Sequence, residues 1–312
     1  MVAISQRGIA ILRRGNSFIH PLAGSHDGVG RGGFLTRTAS CAMIHPTAVV
    51  HPSARLGQDV LVGPYTVIGE GVEVGDRTRL GSHVVLEKHC VVGTDCVIGA
   101  GSVIGGDPQD LRFDSGLHSF VKIGNHSTLR EHVTVHRATA SGAYTSVGDR
   151  CFLMAGCHVG HDGKVRDGAI LANNVLLGGH VEIGEKAFLG GGSVFHQFVR
   201  VGNLVICQGG SKFSRDIPPY LMAADLNGVI GLNVLGLRRA GFGTEQRAIL
   251  RNAFALLYRQ GMNVTQALQI ASQKTWPPEA ELFFDFARTS KKGICFRLAD
   301  RRGGTVGEGE LS

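Results

Sequence analysis

From Ile44 the chain falls into six-residue units: IHPTAV, VHPSAR, LGQDVL, VGPYTV, IGEGVE, VGDRTR and onward. The first position is almost always Leu, Ile or Val. The second is often Gly, and the fifth is nearly always Ala, Ser, Thr, Val or Cys. Two positions of every six must therefore face an interior, one large and one small. An amphipathic helix has a period of 3.6 and a half-buried strand has a period of 2, so the pattern fits neither. A hexad repeat predicts a parallel β-helix, a solenoid in which each coil buries its apolar side against the next.

The rhythm breaks at Gly105–Val121, resumes at Ile123 and runs again from Val147 to Phe213. The break predicts a loop on one face of the solenoid, with Gln109, Asp110 and Arg112 as its polar candidates. A shorter loop, Ser141–Ser146, keeps the six-residue phase. The array is expected to end at Ile217-Pro218-Pro219-Tyr220, where two prolines would stop further strand pairing. Beyond it the spacing turns helical. Glu245–Gly261 ends on a glycine stop, Val264–Gln273 opens on Asn263 as N-cap, and Glu279–Thr289 follows Pro277-Pro278. These helices would cap the open end of the solenoid. The expected organisation is thus a disordered extension (1–42), a β-helix (43–222) and a helical domain with a disordered tail (223–312).

Composition adjusts this picture at three points. Gly is abundant, at 46 residues, as tight corners with positive φ would require. No apolar run approaches the roughly 18 residues of a membrane-spanning helix. The net charge of +7 suggests a nucleic-acid partner, but five arginines (Arg7, Arg13, Arg14, Arg31, Arg37) against Asp27 place +4 of it in residues 1–42. The rest is not clustered, and no nucleic-acid partner is expected. Residues 1–42 read as a transit peptide or as an extension upstream of a true start at Met43. The compartment is therefore cytoplasmic, or mitochondrial or plastid if the extension is a genuine transit peptide. Four of the seven cysteines, Cys90, Cys96, Cys151 and Cys157, take the small fifth position; their six-residue spacing is the repeat, not a zinc pattern.

The candidate chemistry lies in FLMAGCHVGHDGKV, Phe152–Val165, which carries His158, His161 and Asp162. His180 follows His161 by 19 residues, and His196 follows His180 by 16. If a coil holds 18 residues, these histidines fall near one corner in successive coils, about 4.8 Å apart. His136, in a second hexad position, should also point outward. Imidazole near its reference pKa of about 6.5 suits a general base, with Asp162 as partner. Three histidines could equally hold zinc, or simply decorate a solvated corner. The spacing leaves all three readings open.

PQDLRF, VHRAT, FLMAGCHVGHD, LANNVLLGGHVEIG, VFHQF, DIPPY and GLNVLGLRRAGF occur in this order. As a set they resemble the UDP-N-acetylglucosamine O-acyltransferases of lipid A biosynthesis, over about residues 43–298. The resemblance implies a left-handed β-helix with three hexads per coil and transfer of an (R)-3-hydroxyacyl group from acyl carrier protein to the 3-position of UDP-N-acetylglucosamine. It implies a homotrimer with sites between subunits, no metal or other cofactor, and no integral membrane segment. It assigns the general base to His161, its partner to Asp162 and an oxyanion-facing N–H to Gly179. It places Asp110, Arg112, His136, His158, His180, His196, Gln197, Asn233 and Arg239 among substrate-binding positions. Gly209 falls where a small residue leaves room for a longer acyl chain.

The chain departs from the family pattern at several positions. Arg112 stands where Lys is usual, Leu235 where Glu is common and Ala240 where a basic residue is common. Gly160 replaces Ala between the two histidines, Gly163 takes a fifth position, and Ala223–Ile230 is one residue short. These changes leave the base alone and bear on the acceptor sugar, 3-hydroxy or 3-amino, and on chain length. The competing readings are the related sugar-nucleotide N-acyltransferase, a trimeric zinc carbonic anhydrase on the same fold, and a non-catalytic scaffold. Arg238, Arg247, Arg251 and Arg259 could steer an acidic carrier protein or be ordinary solvated helix positions.

Overall fold

The computed structural model describes residues 42–298. The arginine-rich extension before Ala42 and the tail from residue 299, with the disorder expected of both, lie outside the described residues. The hexads wind into a left-handed parallel β-helix whose three faces are sheets of 12, 9 and 8 strands. Each hexad contributes a short strand and a turn. On the first face Leu61 pairs with Arg79, and Arg79 with Val97, a step of 18 residues. The two loops lengthen the step without breaking the ladder. Val97 pairs with Thr128, 31 residues on, and Thr128 with Phe152, 24 residues on.

First-position side chains such as Ile68, Leu80 and Leu86 fill the interior, and fifth-position Val60, Thr66, Val72 and Thr78 are fully buried beside them. Each large apolar side chain so buried contributes about 1.5–3 kcal/mol. The buried hydroxyls are satisfied by the coil stack: Thr66 Oγ1 donates to Gly81 O at 2.7 Å and Thr78 Oγ1 to Gly93 O at 2.7 Å. The four fifth-position cysteines are buried thiols, as are Cys207 and Cys295.

The glycines serve the expected purpose only in part: Gly71, Gly101, Gly156, Gly168, Gly192 and Gly210 do take positive φ. Most left-handed corner positions hold Asp, Asn, His, Arg or other side chains, for example Asp59, Arg77, His83 and Asn174. Second-position glycines are instead required by the approach of the next coil. A Cβ on Gly63 would lie 2.7 Å from the Gly81 carbonyl, and one on Gly160 2.8 Å from Gly178.

Strand pairing also continues past the two prolines, against the sequence-based expectation. Leu221–Ala224 pairs in parallel with Ile206–Cys207, then antiparallel with Gly228–Leu232, which pairs with Phe296–Arg297. Pro218 and Pro219 occupy the turn before that strand, where no ladder N–H is needed. The boundary drawn at residue 222 therefore falls inside a strand.

Four helices follow among the described residues: α1 (Val234–Arg239), α2 (Thr244–Tyr258), α3 (Val264–Ala271) and α4 (Pro278–Arg288). Asn263 caps α3 as the sequence suggests, with Asn263 Oδ1 accepting from Gln266 N at 2.9 Å. Only α1 goes unforeseen; six residues are too few to show a helical period. The helical segment is tied to the end of the solenoid through Arg200 and Asp216. Arg200 pairs with the buried Asp216 at 3.0 Å and donates to Phe286 O and Thr289 Oγ1. Ser290 donates to the same Asp216 carboxylate at 2.8 Å.

Candidate active site

The turn Gly160–Asp162 joins a strand of the second face, His158–Val159, to one of the third, Lys164–Val165. The turns Gly178–His180 and His196–Phe198 stack on it in the next two coils. His161, His180 and His196 thus share one corner in successive coils, but not one position in the turn. The register aligns His161 with Gly179 and Gln197. Asp162 aligns with His180 and Phe198, and these three adopt left-handed backbone conformations with φ of 58°, 58° and 68°. For Phe198 that conformation is a strained one, of the kind that persists at functional sites.

His161 Nδ1 lies 2.9 Å from Asp162 Oδ2, and both side chains are mostly buried, 16% and 14% exposed. Thr139 donates to the same carboxylate through its hydroxyl at 2.7 Å and its backbone N–H at 3.2 Å. Thr145 Oγ1 accepts from Asp162 N at 2.7 Å. Burial by itself would raise the Asp162 pKa; the hydrogen bonds from His161 and Thr139 and the neighbouring His180 outweigh it, and the net shift is downward. The carboxylate is therefore an acceptor only. Nδ1 of His161 must carry the proton, which leaves Nε2 with its lone pair as the basic atom.

Gly179 forms the floor beneath that ring. A Cβ there would sit 2.4 Å from His161 Nε2 and Cε1. Its N–H donates to none of the described residues. The same N–H in equivalent turns is capped from the next coil, Asp149 N by Asp167 at 2.9 Å and Glu185 N by Asn203 at 2.9 Å.

The other histidines form two pairs. His180 presents its edge geometry to His161 at 5.2 Å and lies flat on Phe198 at 4.5 Å. His136 meets His158 at 4.7 Å, and His158 Nδ1 is 2.7 Å from Thr134 Oγ1. Burial, helped by neighbouring His136 and His161, lowers the His158 pKa to about 4; burial likewise lowers His136 and His180. All three are neutral donors or acceptors near pH 7.

One ligand atom each from His161, Asp162 and His180 lies within 4.8 Å of the others, a set that a divalent cation would accept. Of these groups the carboxylate already carries hydrogen bonds. Asp162 Oδ2 accepts from His161 and Thr139, and the His180 ring is laid on Phe198. His161 and Asp162 form a hydrogen-bonded imidazole–carboxylate dyad.

The insertion brings Asp110 to this corner: Arg112 holds its carboxyl below the usual range, and His161 adds to the effect. Arg112 pairs with Asp110 at 3.3 Å and is otherwise exposed. Lys292, from the segment after α4, reaches Gln197 O at 3.1 Å and His196 Nδ1 at 3.4 Å. A cleft of about 610 Å³ runs from His180 and Phe198 to Lys291 and Lys292. Three candidates sit apart. Asn233 caps α1, its amide bonded to Gly236 N and Leu204 O. Arg239 is exposed in the last turn of that helix. Gly209 lies at the corner between the first and second faces, in an apolar cleft of about 340 Å³ with Phe188, Ile206, Met222 and Ile230.

Thr139, Thr145, Phe198, Lys292 and Arg137 were not singled out from the sequence. Arg137 is 1% exposed, although a charged side chain beside a polar corner is ordinarily solvated.

Residues 216–295 match the family described as UDP N-acetylglucosamine O-acyltransferase, domain 2, and residues 144–178 match a hexapeptide repeat of succinyl-transferase. An acyl-(acyl-carrier-protein)–UDP-N-acetylglucosamine O-acyltransferase from Synechocystis is 42% identical over 59% of this chain and 67% of its own length. One from Anaeromyxobacter is 38% identical over 61% of this chain and 74% of its own. The solved UDP-N-acetylglucosamine acyltransferase of Francisella novicida superposes with a TM-score of 0.77 at 36% identity, covering 83% of this chain and 95% of that one. The Arabidopsis enzyme gives 0.70 at 33% identity, covering 81% and all of its own chain.

Proposed function

The chain belongs to the UDP-N-acetylglucosamine O-acyltransferase family, and on that premise we propose that it transfers a (R)-3-hydroxyacyl group from acyl carrier protein to the 3-hydroxyl of UDP-N-acetylglucosamine, the first step of lipid A biosynthesis. The observation that carries the reading is the His161–Asp162 dyad, with the free Nε2 of His161 packed against Gly179, whose N–H is uncapped among the described residues.

A thioester is already activated, so catalysis must deprotonate the sugar hydroxyl and stabilise the oxyanion. His161 Nε2 takes the hydroxyl proton as the oxygen attacks the thioester carbon. Asp162 offsets the charge that appears on the imidazolium. The Gly179 N–H donates to the tetrahedral oxyanion. Collapse breaks the C–S bond, and the proton on Nε2 passes to the departing carrier thiolate. His158, His136 and His180, neutral around the dyad, are hydrogen-bond partners for the sugar rather than competing cations. Arg239 suits the diphosphate, because a guanidinium pairs with phosphate oxygens through two donors.

The reading includes a homotrimer, and the outward residues support one. On the second face Thr134 and His158 are flanked by apolar residues, with Val67, Val85, Leu176 and Val194 among them. On the first face Phe152, Ile170, Phe188 and Ile206 make an apolar column. On the third, Arg55, Glu73, Lys164 and Glu182 are charged. Two apolar faces and one charged face suit a chain that packs around a threefold axis. The dyad and the apolar Gly209 cleft lie on different corners of one chain, so a neighbouring copy would bring base and acyl chain together. The compartment proposed with this reading is the cytoplasm, where thiols such as the six described here stay reduced.

The test incubates the purified full chain with carrier protein charged with 3-hydroxyacyl chains of several lengths and with UDP-N-acetylglucosamine. The product is followed by mass, beside His161→Ala, with sedimentation giving the assembly state. Acylated sugar nucleotide that disappears in the variant is the expected result. Product that persists in His161→Ala would refute the base assignment, and no product with any chain would refute the donor–acceptor pair.

A further inference from the structure

Asp162 is oriented by a residue of the preceding coil, across the step that the 141–146 loop lengthens. Thr139 lies 23 residues before Asp162, yet its hydroxyl donates to Oδ2, the same oxygen that faces His161 Nδ1, and its N–H is 3.2 Å from both carboxylate oxygens. Immediately upstream, the buried Arg137 gathers the 107–119 insertion around its guanidinium. It donates to Asp107 Oδ1 at 2.7 Å, Leu117 O at 2.5 Å, Ser119 Oγ at 3.2 Å and Ser115 O at 2.9 Å, and it stacks over Phe113. Between the two residues, Ala138 O accepts from Ser119 Oγ. The segment from 137 to 139 is therefore fixed at one end to the insertion that carries Asp110 and at the other to the dyad.

We infer that Thr139 is a positioning residue for the base: it holds the Asp162 carboxylate turned toward His161, and the Arg137 clamp on the insertion sets where Thr139 stands. The physical reason is competition for one oxygen. His180 Nε2 also approaches Asp162 Oδ2, at 3.5 Å. A carboxylate with no other donor can rotate toward either ring. The Thr139 hydroxyl and N–H together fix its plane, and the 2.9 Å bond to His161 follows from that plane. Fixing it selects the Nδ1–H tautomer of His161 and keeps the Nε2 lone pair aimed outward. His161, His180 and Thr139 are the groups facing the carboxylate, so losing one donor leaves the other two to share it.

The inference rests on the acyl-transfer reading for its kinetic arm only. The test compares the full chain with Thr139→Val, which keeps the backbone N–H and the shape, and with Thr139→Ser, which restores the hydroxyl. Nitrogen-15 spectra of the His161 ring report its tautomer without any substrate, and the carboxyl carbon of Asp162 reports its titration. The expected result is a mixed tautomer in Thr139→Val and an Asp162 titration moved to higher pH, both returned by Thr139→Ser. In the transfer assay kcat falls about tenfold, the size expected for losing one hydrogen bond to a charged group, while KM stays within about twofold. An unchanged ring spectrum and an unchanged Asp162 titration in Thr139→Val would overturn the inference. So would a Thr139→Ser variant that behaves like valine, since that assigns the residue to packing. A wild-type protein without transfer activity would refute the acyl-transfer reading alone, because the ring spectra still decide the role of Thr139.

Discussion

Gly179→Ala separates the chemistry of the corner from its stability. The added Cβ would stand 2.4 Å from His161 Nε2 and Cε1 and 3.1 Å from Cδ2, whereas ordinary contact begins near 3.4 Å. The ring must therefore move by about 1 Å. It is the far end of a flexible side chain, so the backbone stack need not follow, and Gly179 is not at a left-handed position that would strain an alanine. The displaced ring breaks the alignment between Nε2, the acceptor hydroxyl and the oxyanion donor. A misplacement of about 1 Å costs on the order of 100-fold in rate, or about 2.7 kcal/mol in the barrier at 1.36 kcal/mol per decade. The assay is kcat/KM for acyl transfer beside the thermal midpoint of unfolding. Activity should fall about 100-fold with the midpoint nearly unchanged. Activity retained within a few-fold would refute the placement of His161 over Gly179. A midpoint lowered by many degrees would mean that the glycine serves coil packing, as Gly160 does against Gly178.

Removing the buried carboxylate with Asp216→Ala strands Arg200 and frees Ser290; chemical denaturation should show a loss of about 3 kcal/mol, the lower range for breaking a buried pair. Protonation should weaken the fold in a defined window. The His158 pKa is lowered from 6.5 to about 4, so below pH 6.5 the unfolded chain takes up a proton that the folded chain refuses. Stability should fall as pH drops from about 6.5 to about 4 and then level at that group, with His136 and His180 adding in the same direction. His158→Gln should flatten that slope in denaturation curves taken across the window; an unchanged slope would mean His158 is not held neutral. Gly209→Leu fills part of the roughly 340 Å³ cleft, so the preferred acyl chain should shorten in competition assays with mixed donors, and an unchanged preference would place the acyl chain elsewhere.

The sequence by itself determined the solenoid, because a six-residue period is a local property that each coil repeats. It also determined where the period breaks, the capped helix at Asn263, and the neighbourhood of His161 and Asp162, which are adjacent in the chain. It foresaw only one of the two roles of the glycines and misjudged the prolines. The steric demand on Gly63 or Gly160 comes from a coil 18 residues away, and Pro218 and Pro219 fall in a turn that pairing does not need. Tertiary structure alone decided what meets across coils. Loops lengthen two steps of the ladder from 18 residues to 31 and 24; the second sets Thr139 against Asp162 and the first folds over Arg137. The same stacking sets Gly179, rather than another histidine, directly beneath the His161 ring. Such contacts depend on register, rotamer and a third dimension that the linear period does not carry.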